Sequence, residues 1–171
     1  ASPGIGIGTA VVVYPPADLD AVPDRTVTDV EAETDAFRNA LDEVSEEIDR
    51  FAVRTATLLR AEDRALFDAW QLMLESESLV DGTLERIRAG NWAPGALRDT
   101  ITEHARVFDG MDDVYLRERA SDVRDLGRRI LMRLQNIQDH PTAYQPSTIL
   151  VGEELSAMQI ADVPRELLAG I

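Results

Sequence analysis

The chain has 171 residues, of which 44% are hydrophobic, 17 are basic and 32 are acidic, so that its formal net charge at pH 7 is −15. This charge argues against nucleic acid as a partner and favours a basic protein partner or high solubility. The chain has no cysteine, which excludes disulfides and thiolate chemistry and is typical of cytoplasmic proteins. We expect no membrane span and no signal peptide, since no apolar run approaches roughly 20 residues.

The first predicted element is a strand near the amino terminus. Residues 6–14 combine small and β-branched side chains, with Val11, Val12 and Val13 at the centre. Three prolines then predict a turn-rich linker that extends to about residue 28. The glycines of ASPGIGIGT do not form a dinucleotide-binding loop, because the G-x-G-x-x-G spacing is missing and no helix follows. We interpret them as glycines that permit close packing of a strand.

A long helix is predicted from Asp29 to about residue 60. Its apolar residues recur in alternating steps of four and three, which describes one buried stripe of a helix. The stripe consists of Phe37, Leu41, Val44, Ile48, Phe51, Thr55 and Leu58. Thr28 or Asp29 is a suitable N-cap. A helix of this length with one narrow stripe needs an antiparallel neighbour to cover it.

Three shorter helices follow, each with typical boundary residues. They cover residues 61–74, 79–89 and 93–109. Gly90 is placed to end the second of them, and Pro94 suits the first turn of the third. A second long helix, near 112–137, follows the break at Gly110.

The second long helix carries an apolar stripe and an unusual set of arginines. The stripe consists of Leu116, Ala120, Val123, Gly127, Ile130, Leu134 and Ile137. The rest of the surface mixes arginine with aspartate and glutamate, and its arginines include Arg117, Arg119, Arg124, Arg128 and Arg129. Arginine is favoured where pairing has a fixed geometry, so this surface predicts ion pairs with defined partners. The alternative is a solvated face with intrahelical pairs such as Asp125 with Arg129.

The chain returns to α/β structure after a second linker near 138–147. Residues 148–151 predict a short buried strand. Residues 156–162 predict a short helix that begins with a Ser156/Gln159 capping box and ends at Pro164. The order of strand, helical insert and strand predicts a helical bundle that emerges from an α/β body.

The residues themselves offer little catalytic chemistry. Of the two histidines, His104 lies on an apolar helix stripe and is interpreted as a core residue, and His140 as an exposed linker residue. Neither has neighbours at metal-ligand spacing, and no Ser/His/Asp arrangement can be nominated. The acidic residues, although abundant, give no acid–base pair without a pocket.

Three segments together resemble enzyme I, the phosphoenolpyruvate-protein phosphotransferase that opens the bacterial phosphotransferase system. ASPGIGIGTAVV is similar to that family's first strand, MDDVYLRERASDVRDLGRRIL to its long helix and STILVGEELSAMQIADVP to its strand–helix return. The segments DAWQLMLESESL and GALRDTITEHARVFDGMDD are most similar to the nitrogen-related paralogue. The resemblance spans essentially the whole chain, in the family's order.

The resemblance implies a mainly α fold, in which a four-helix carrier-binding bundle is inserted in a truncated α/β phosphohistidine subdomain. Residues 1–24 would form the first part of that subdomain, residues 25–143 the helical carrier-binding subdomain, and residues 144–171 the incomplete second part of the α/β subdomain.

The resemblance also implies a partner, an HPr-like small phosphocarrier protein. In this family the carrier docks on the short helical pair that corresponds to residues 61–79 and on part of the long helix. The matching positions are Glu62, Asp68, Ala69, Leu72, Met73, Glu77, Leu79, Arg119 and Arg124. Leu72, Met73 and Leu79 would form an apolar anchor, framed by acids that suit a basic partner. The alternative is that these three apolar residues are bundle core.

The same resemblance implies that the chain is an inactive piece of an enzyme. The family's phosphoacceptor histidine lies beyond LLAGI, so we expect no catalytic residue, cofactor or metal site in this chain. The parent protein would use Mg²⁺ with phosphoenolpyruvate and form a homodimer through other regions. Trp70 and the alternation of Glu and Ser at 75–78 depart from the sugar-type pattern and favour the nitrogen-branch carrier.

Two other classes of protein stay open. One is a non-catalytic, acidic helical adaptor whose bundle serves self-association. The other is a different phosphohistidine enzyme related to phosphoenolpyruvate synthase, which the inserted bundle disfavours.

Overall fold

The computed structural model divides the chain into two compact units. One unit comprises Ala1–Pro15 and Asp139–Ile171, and the other comprises Pro16–Gln138. The described residues are 6–13, 17–55, 61–112, 114–136, 144–152, 155, 160 and 163–171, and the description of side chains leaves out 54–55, 61–66 and 114–119.

The unit Pro16–Gln138 is built mainly of helices. Those in its described residues are α1 (Val30–Thr55), α2 (Ala61–Leu74), α3 (Glu77–Arg88), α4 (Ala93–Asp109) and α5 (Val114–Leu134). Only Glu75 and Ser76 separate α2 from α3, so these two helices are the short pair of the predicted bundle. The predicted mainly α fold class is confirmed. None of the helices in the described ranges combines the length and apolar character needed to cross a bilayer.

Local side chains explain where the helices begin and end. The Asp29 carboxylate accepts a hydrogen bond from the Ala32 backbone N–H at 3.0 Å, which confirms the predicted N-cap of α1. Gly90, with φ of 97°, follows the end of α3 in the conformation that favours glycine. Pro94 lies in the first turn of α4, as predicted. α3 begins at Glu77, before the predicted residue 79, because Ser76 is its N-cap.

Most members of the predicted apolar stripes whose side chains the structure describes are buried in the core. The buried members are Phe37, Leu41, Val44, Ile48 and Phe51 of α1 and Ala120, Val123, Gly127 and Ile130 of α5. Leu134 is half-buried, and the predicted stripe positions 55, 58, 116 and 137 lie outside the described side chains. His104 is half-buried rather than a core residue, because the buried stripe of α4 runs through Leu97, Ile101 and Ala105. His140 lies outside the described residues.

The two long helices run antiparallel, as predicted. Glu43 of α1 lies within 4.0 Å of Arg133, and Glu47, one turn further along α1, contacts Arg129, one turn earlier in α5. Increasing residue numbers in α1 therefore meet decreasing numbers in α5. α5 also packs tightly on α4, where Gly127 faces the buried side chain of Ile101.

The close approach at Gly127 predicts opposite effects for two matched substitutions. A Cβ at position 127 would lie 2.7 Å from Ile101 Cγ1, whereas a Cβ at Gly82 of α3 would meet its nearest neighbours at 3.6 Å. We expect Gly127→Ala to lower the free energy of unfolding by about 1–2 kcal/mol, since overpacking exceeds the gain in helix propensity. Gly82→Ala should raise it by roughly 0.5–1 kcal/mol. Urea unfolding would measure both, and stabilisation by Gly127→Ala would contradict the packing.

The segment before α1 belongs to the helical unit. Ala17, Leu19 and Val22 are buried. The Arg98 guanidinium of α4 donates to the Val22 carbonyl at 2.5 Å and forms an ion pair with Asp24 at 2.6 Å. These contacts place residues 17–24 with the helices, whereas the sequence assigned 1–24 to the α/β part. The other predicted subdomain boundary, at residue 143, stays a prediction.

The other unit contains a three-stranded parallel sheet in the order β1 (Thr9–Val12), β2 (Thr148–Val151), β3 (Leu168–Gly170). β2 has the predicted bounds, and β1 is shorter than the predicted 6–14. Thr9 pairs with Thr148 and Val12 with Val151, so strands from the two ends of the chain are neighbours in register. The predicted helix at 156–162 lies almost wholly outside the described residues.

Candidate functional site

Helix α2 is anchored on α1 by an aromatic cluster. The ring centroids of Phe51 and Phe67 are 5.2 Å apart, and Phe67 meets Trp70 edge-on at 5.8 Å. All three rings are buried. Such edge-to-face and tilted contacts add to the large area that aromatic side chains bury. The cluster therefore determines which face of α2 remains at the surface.

The surface face of α2 carries an apolar residue among polar ones. The Leu72 side chain is 73% exposed, and among the described side chains of α2 it is the one large apolar side chain at the surface. Asp68, one turn earlier, is also exposed, and Ala69 and Met73 are half-buried. An exposed aliphatic side chain with an acid nearby has the chemistry of a contact residue in a protein interface.

Ser76 forms the corner between α2 and α3. Its hydroxyl donates to the Met73 carbonyl at 2.8 Å and accepts from the Leu79 backbone N–H at 3.4 Å. The corner directs Glu77 to the surface and Leu79 into the core, where it is 3% exposed. For Leu79 the predicted role as a surface anchor is therefore corrected, because Leu79 lies on the buried face of α3 together with Thr83 and Ile87.

The predicted contact residues differ in their exposure and in their partners. Asp68, Leu72 and Glu77 are exposed on the α2–α3 pair. Arg124 of α5 forms an ion pair with Asp109 of α4. The side chains of Glu62 and Arg119 lie outside the described residues. The surface that the structure describes is thus Asp68, Ala69, Leu72, Met73 and Glu77, which we call the α2–α3 surface.

Among the described arginines of α5, Arg124, Arg129 and Arg133 bind partners on other helices. Glu47 of α1 accepts hydrogen bonds from Arg129 and from Arg133, the latter at 2.8 Å, and its side chain is only 19% exposed. This confirms the predicted ion pairs with defined partners. The proposed intrahelical pair of Asp125 with Arg129 does not form, since Asp125 bonds Arg128 at 3.0 Å instead. These pairs hold α5 on α1, and sequence reasoning did not identify Glu47 because it is 82 residues from Arg129.

Burial raises the pKa of the Asp125 carboxyl above its usual 3.8, although Arg128 opposes the shift. The folded chain therefore binds this proton more tightly than the unfolded chain does. The resulting contribution to stability is present at pH below 3.8 and is lost as the pH rises through the raised pKa.

Asp125→Asn should consequently gain stability relative to the parent chain as the pH rises. In acid the protonated Asp125 and the amide are similar in shape and charge, so the two chains should unfold at similar urea concentrations. Near neutral pH the parent must bury an ionised carboxylate, and the variant should be the more stable chain. A difference in unfolding free energy that does not change between acidic and neutral pH would contradict the assignment.

A groove of about 280 Å³ lies beside Arg124. Its charged lining residues are Arg106, Arg124 and Arg128 with Asp18, Asp20 and Asp109. The formal charges of these six side chains cancel, so the charged lining of the groove carries no net formal charge. Together with the Arg124–Asp109 pair, this arrangement makes Arg124 a residue that holds α4 and α5 together.

A family model described as the N-terminal part of PEP-utilising enzymes matches residues 1–119. The chain belongs to this family. The matched residues include α1, α2, α3 and α4 and therefore the whole α2–α3 surface.

Individual relatives in this family are similar to the chain along its whole length. It is 31% identical to a phosphoenolpyruvate-protein phosphotransferase of Staphylococcus aureus over 99% of the chain and 30% of the relative. It is 32% identical to a phosphoenolpyruvate-dependent phosphotransferase system protein of Salmonella typhimurium over 100% of the chain and 23% of the relative. The chain thus spans about a third or less of these relatives.

Two solved structures share the fold of this chain. The N-terminal domain of Enzyme 1 - Nitrogen superimposes with a TM-score of 0.71 and 30% identity, over 99% of this chain and 69% of that one. An Enzyme I solution structure superimposes with a TM-score of 0.79 and 26% identity, over 98% and 68%. The chain is accordingly an N-terminal region of the enzyme I type.

Proposed function

We propose that this chain is the part of a phosphoenolpyruvate-protein phosphotransferase that docks a small HPr-like phosphocarrier, so that a phosphoryl group can pass from a phosphohistidine of the parent protein to the carrier. The observation that carries the proposal is the α2–α3 surface. Leu72 is 73% exposed there, while the aromatic cluster and the Ser76 corner fix the two helices beneath it. The membership of the enzyme I family supports the same function.

The chemistry of the α2–α3 surface suits a partner with an apolar centre and a basic rim. Leu72 and Met73 supply apolar contact area, and Ala69 is small enough to permit close approach. Asp68 and Glu77 are exposed acids at the two ends of the surface, on a chain whose net charge is −15. Exposed charges contribute mainly to the rate of encounter, whereas the desolvated apolar centre contributes most of the affinity.

Carrier titration tests the proposal directly. The HPr-type protein encoded in the same genome should bind the chain with one-to-one stoichiometry in isothermal titration calorimetry, without being phosphorylated. Association should slow as salt is added, because exposed charges are screened beyond roughly 10 Å at 0.1 M salt. The absence of binding at low salt would contradict the proposal, and self-association of the chain would favour the alternative of an adaptor.

The branch of the family is part of the proposal. A nitrogen-branch carrier is supported by the 30% identity with the N-terminal domain of Enzyme 1 - Nitrogen. The use of Mg²⁺ and phosphoenolpyruvate and homodimer formation are proposed for the parent protein. A cytoplasmic location likewise stays a prediction.

Phosphate incorporation tests the proposal that this chain binds the carrier but has no phosphoacceptor residue of its own. With labelled phosphoenolpyruvate and Mg²⁺, this chain should take up no phosphate, because neither His104 nor His140 matches the family's phosphoacceptor segment. Label would be measured after acid-free gel separation, with a full-length enzyme of the family as positive control. Label on either histidine would show that these residues hold a phosphoacceptor.

A further inference from the structure

Gln71 connects α2 to α1 through all the polar atoms of its side-chain amide. Its Nε2 donates to the Ser45 carbonyl at 3.0 Å and to the Asp49 carboxylate at 2.7 Å. Its Oε1 accepts from the Ser45 hydroxyl at 3.0 Å. Both amide hydrogens are thereby used, and one of the bonds is strengthened by the charge of Asp49. The amide is held by a backbone atom as well as by two side chains.

The other described contacts between α2 and α1 are less directional than these hydrogen bonds. Phe67 and Trp70 are packed as aromatic rings, and the buried indole N–H of Trp70 has no hydrogen-bond partner in the described part of the chain. Ring contacts tolerate small slides and rotations, whereas a hydrogen-bonded amide with three partners does not. The aromatic cluster thus sets which face of α2 is buried, and among the described side chains of α2 it is Gln71 that adds the directional contact that narrows the register of α2 on α1.

The position of Gln71 in the sequence links this register to the α2–α3 surface. Leu72 is the next residue, and neighbouring side chains of an α-helix project roughly 100° apart. With Gln71 directed to α1, Leu72 is directed to the surface, where it is 73% exposed. A rotation of α2 would move Leu72 and Asp68 together.

We propose that Gln71 is a positioning residue for carrier docking: its amide fixes α2 on α1 and so presents Leu72 and Asp68 to the partner. This inference rests on the proposed function and assigns a role within it. The Gln71 side chain itself faces α1 and is not required to contact the carrier.

Gln71→Leu, which keeps the size of the side chain and removes its hydrogen bonds, is the primary test. Stopped-flow or surface-plasmon measurements with the HPr-type carrier should show dissociation faster by about fivefold or more. The association rate should be unchanged, because the charges of Asp68 and Glu77 remain. Both rates are measured under conditions in which circular dichroism shows that the variant is fully folded. If Gln71 only stabilised the fold, the two rates would then equal those of the parent chain.

Two further variants separate positioning from loss of a contact. Ser45→Ala changes only α1 and removes only the hydroxyl bond to Gln71 Oε1, so it should accelerate dissociation less than Gln71→Leu does. In the Gln71→Leu background it should add little, because that bond is already absent. Gln71→Glu should weaken binding, because a carboxylate oxygen then faces Asp49. Adding Asp49→Asn supplies an amide donor at the same net charge as the parent and should recover part of the affinity.

Hydrogen exchange of the free chain gives a readout that does not depend on the carrier. In Gln71→Leu the backbone amides of α2 should exchange faster than in the parent chain, while those of α4 should not change. A parent chain that does not bind the carrier would contradict the proposed function, and exchange would still decide whether Gln71 holds α2. Unchanged dissociation together with unchanged exchange of α2 would overturn the role of Gln71.

Discussion

Leu72→Asp is expected to weaken binding of the HPr-type carrier by about 2–4 kcal/mol, which amounts to near loss of the complex. Leu72 is 73% exposed in the free chain, so its replacement removes little core packing. In the complex the same position would be desolvated, and an aspartate there would be buried without a partner. Isothermal titration calorimetry at low salt would measure the change in affinity.

Val107→Asp is the matched control for Leu72→Asp. Val107 is an aliphatic residue on α4 with a 57% exposed side chain, and it lies outside the α2–α3 surface. The substitution introduces the same charge, but it should leave carrier affinity within about 0.5 kcal/mol of the parent value. If folded Leu72→Asp bound the carrier as tightly as Val107→Asp did, the docking surface would be elsewhere.

Glu47→Gln should produce the second large effect, a loss of about 2–4 kcal/mol in the free energy of unfolding. The carboxylate of Glu47 accepts hydrogen bonds from both Arg129 and Arg133, and its side chain is 19% exposed. The substitution removes the largely buried carboxylate that Arg129 and Arg133 share, although Glu43 stays within 4.0 Å of Arg133. The variant should therefore loosen the packing of α5 on α1.

The neighbouring residue offers a control for Glu47→Gln. Glu46 forms an ion pair with Arg50, and both side chains are well exposed. Glu46→Gln removes the same charge from the same helix, but an exposed pair of this kind contributes roughly 0–1 kcal/mol. Equal urea midpoints for the two variants would show that the Glu47 network does not stabilise the bundle.

The helices were predictable because their signals are local. The stripe of α1 repeats at helical spacing, Asp29 caps it and Gly90 ends α3, and each of these depends only on nearby residues. The predicted start of α3, residue 79, is two residues late, although Ser76 is a typical N-cap residue. The burial of Leu79 follows instead from its place on the same helix face as Thr83 and Ile87.

The candidate site was predictable only in part. The α2–α3 surface came from a family resemblance, and the sequence did not distinguish exposed Leu72 from buried Leu79. Gln71 could not have been identified, because its partners Ser45 and Asp49 lie 26 and 22 residues earlier in the chain. Contacts between helices depend on how the helices pack, and no local pattern encodes that packing.

The most direct measurement of the central claim is a nuclear magnetic resonance titration of the isotopically labelled chain with unlabelled HPr-type carrier. Backbone resonances of the α2–α3 surface should shift or broaden, centred on Leu72 and extending to Asp68 and Glu77, and the effect should diminish in Leu72→Asp. Resonances around Val107 on α4 should not change. Changes confined to other helices or to the sheet, or no changes in the presence of excess carrier, would contradict the account.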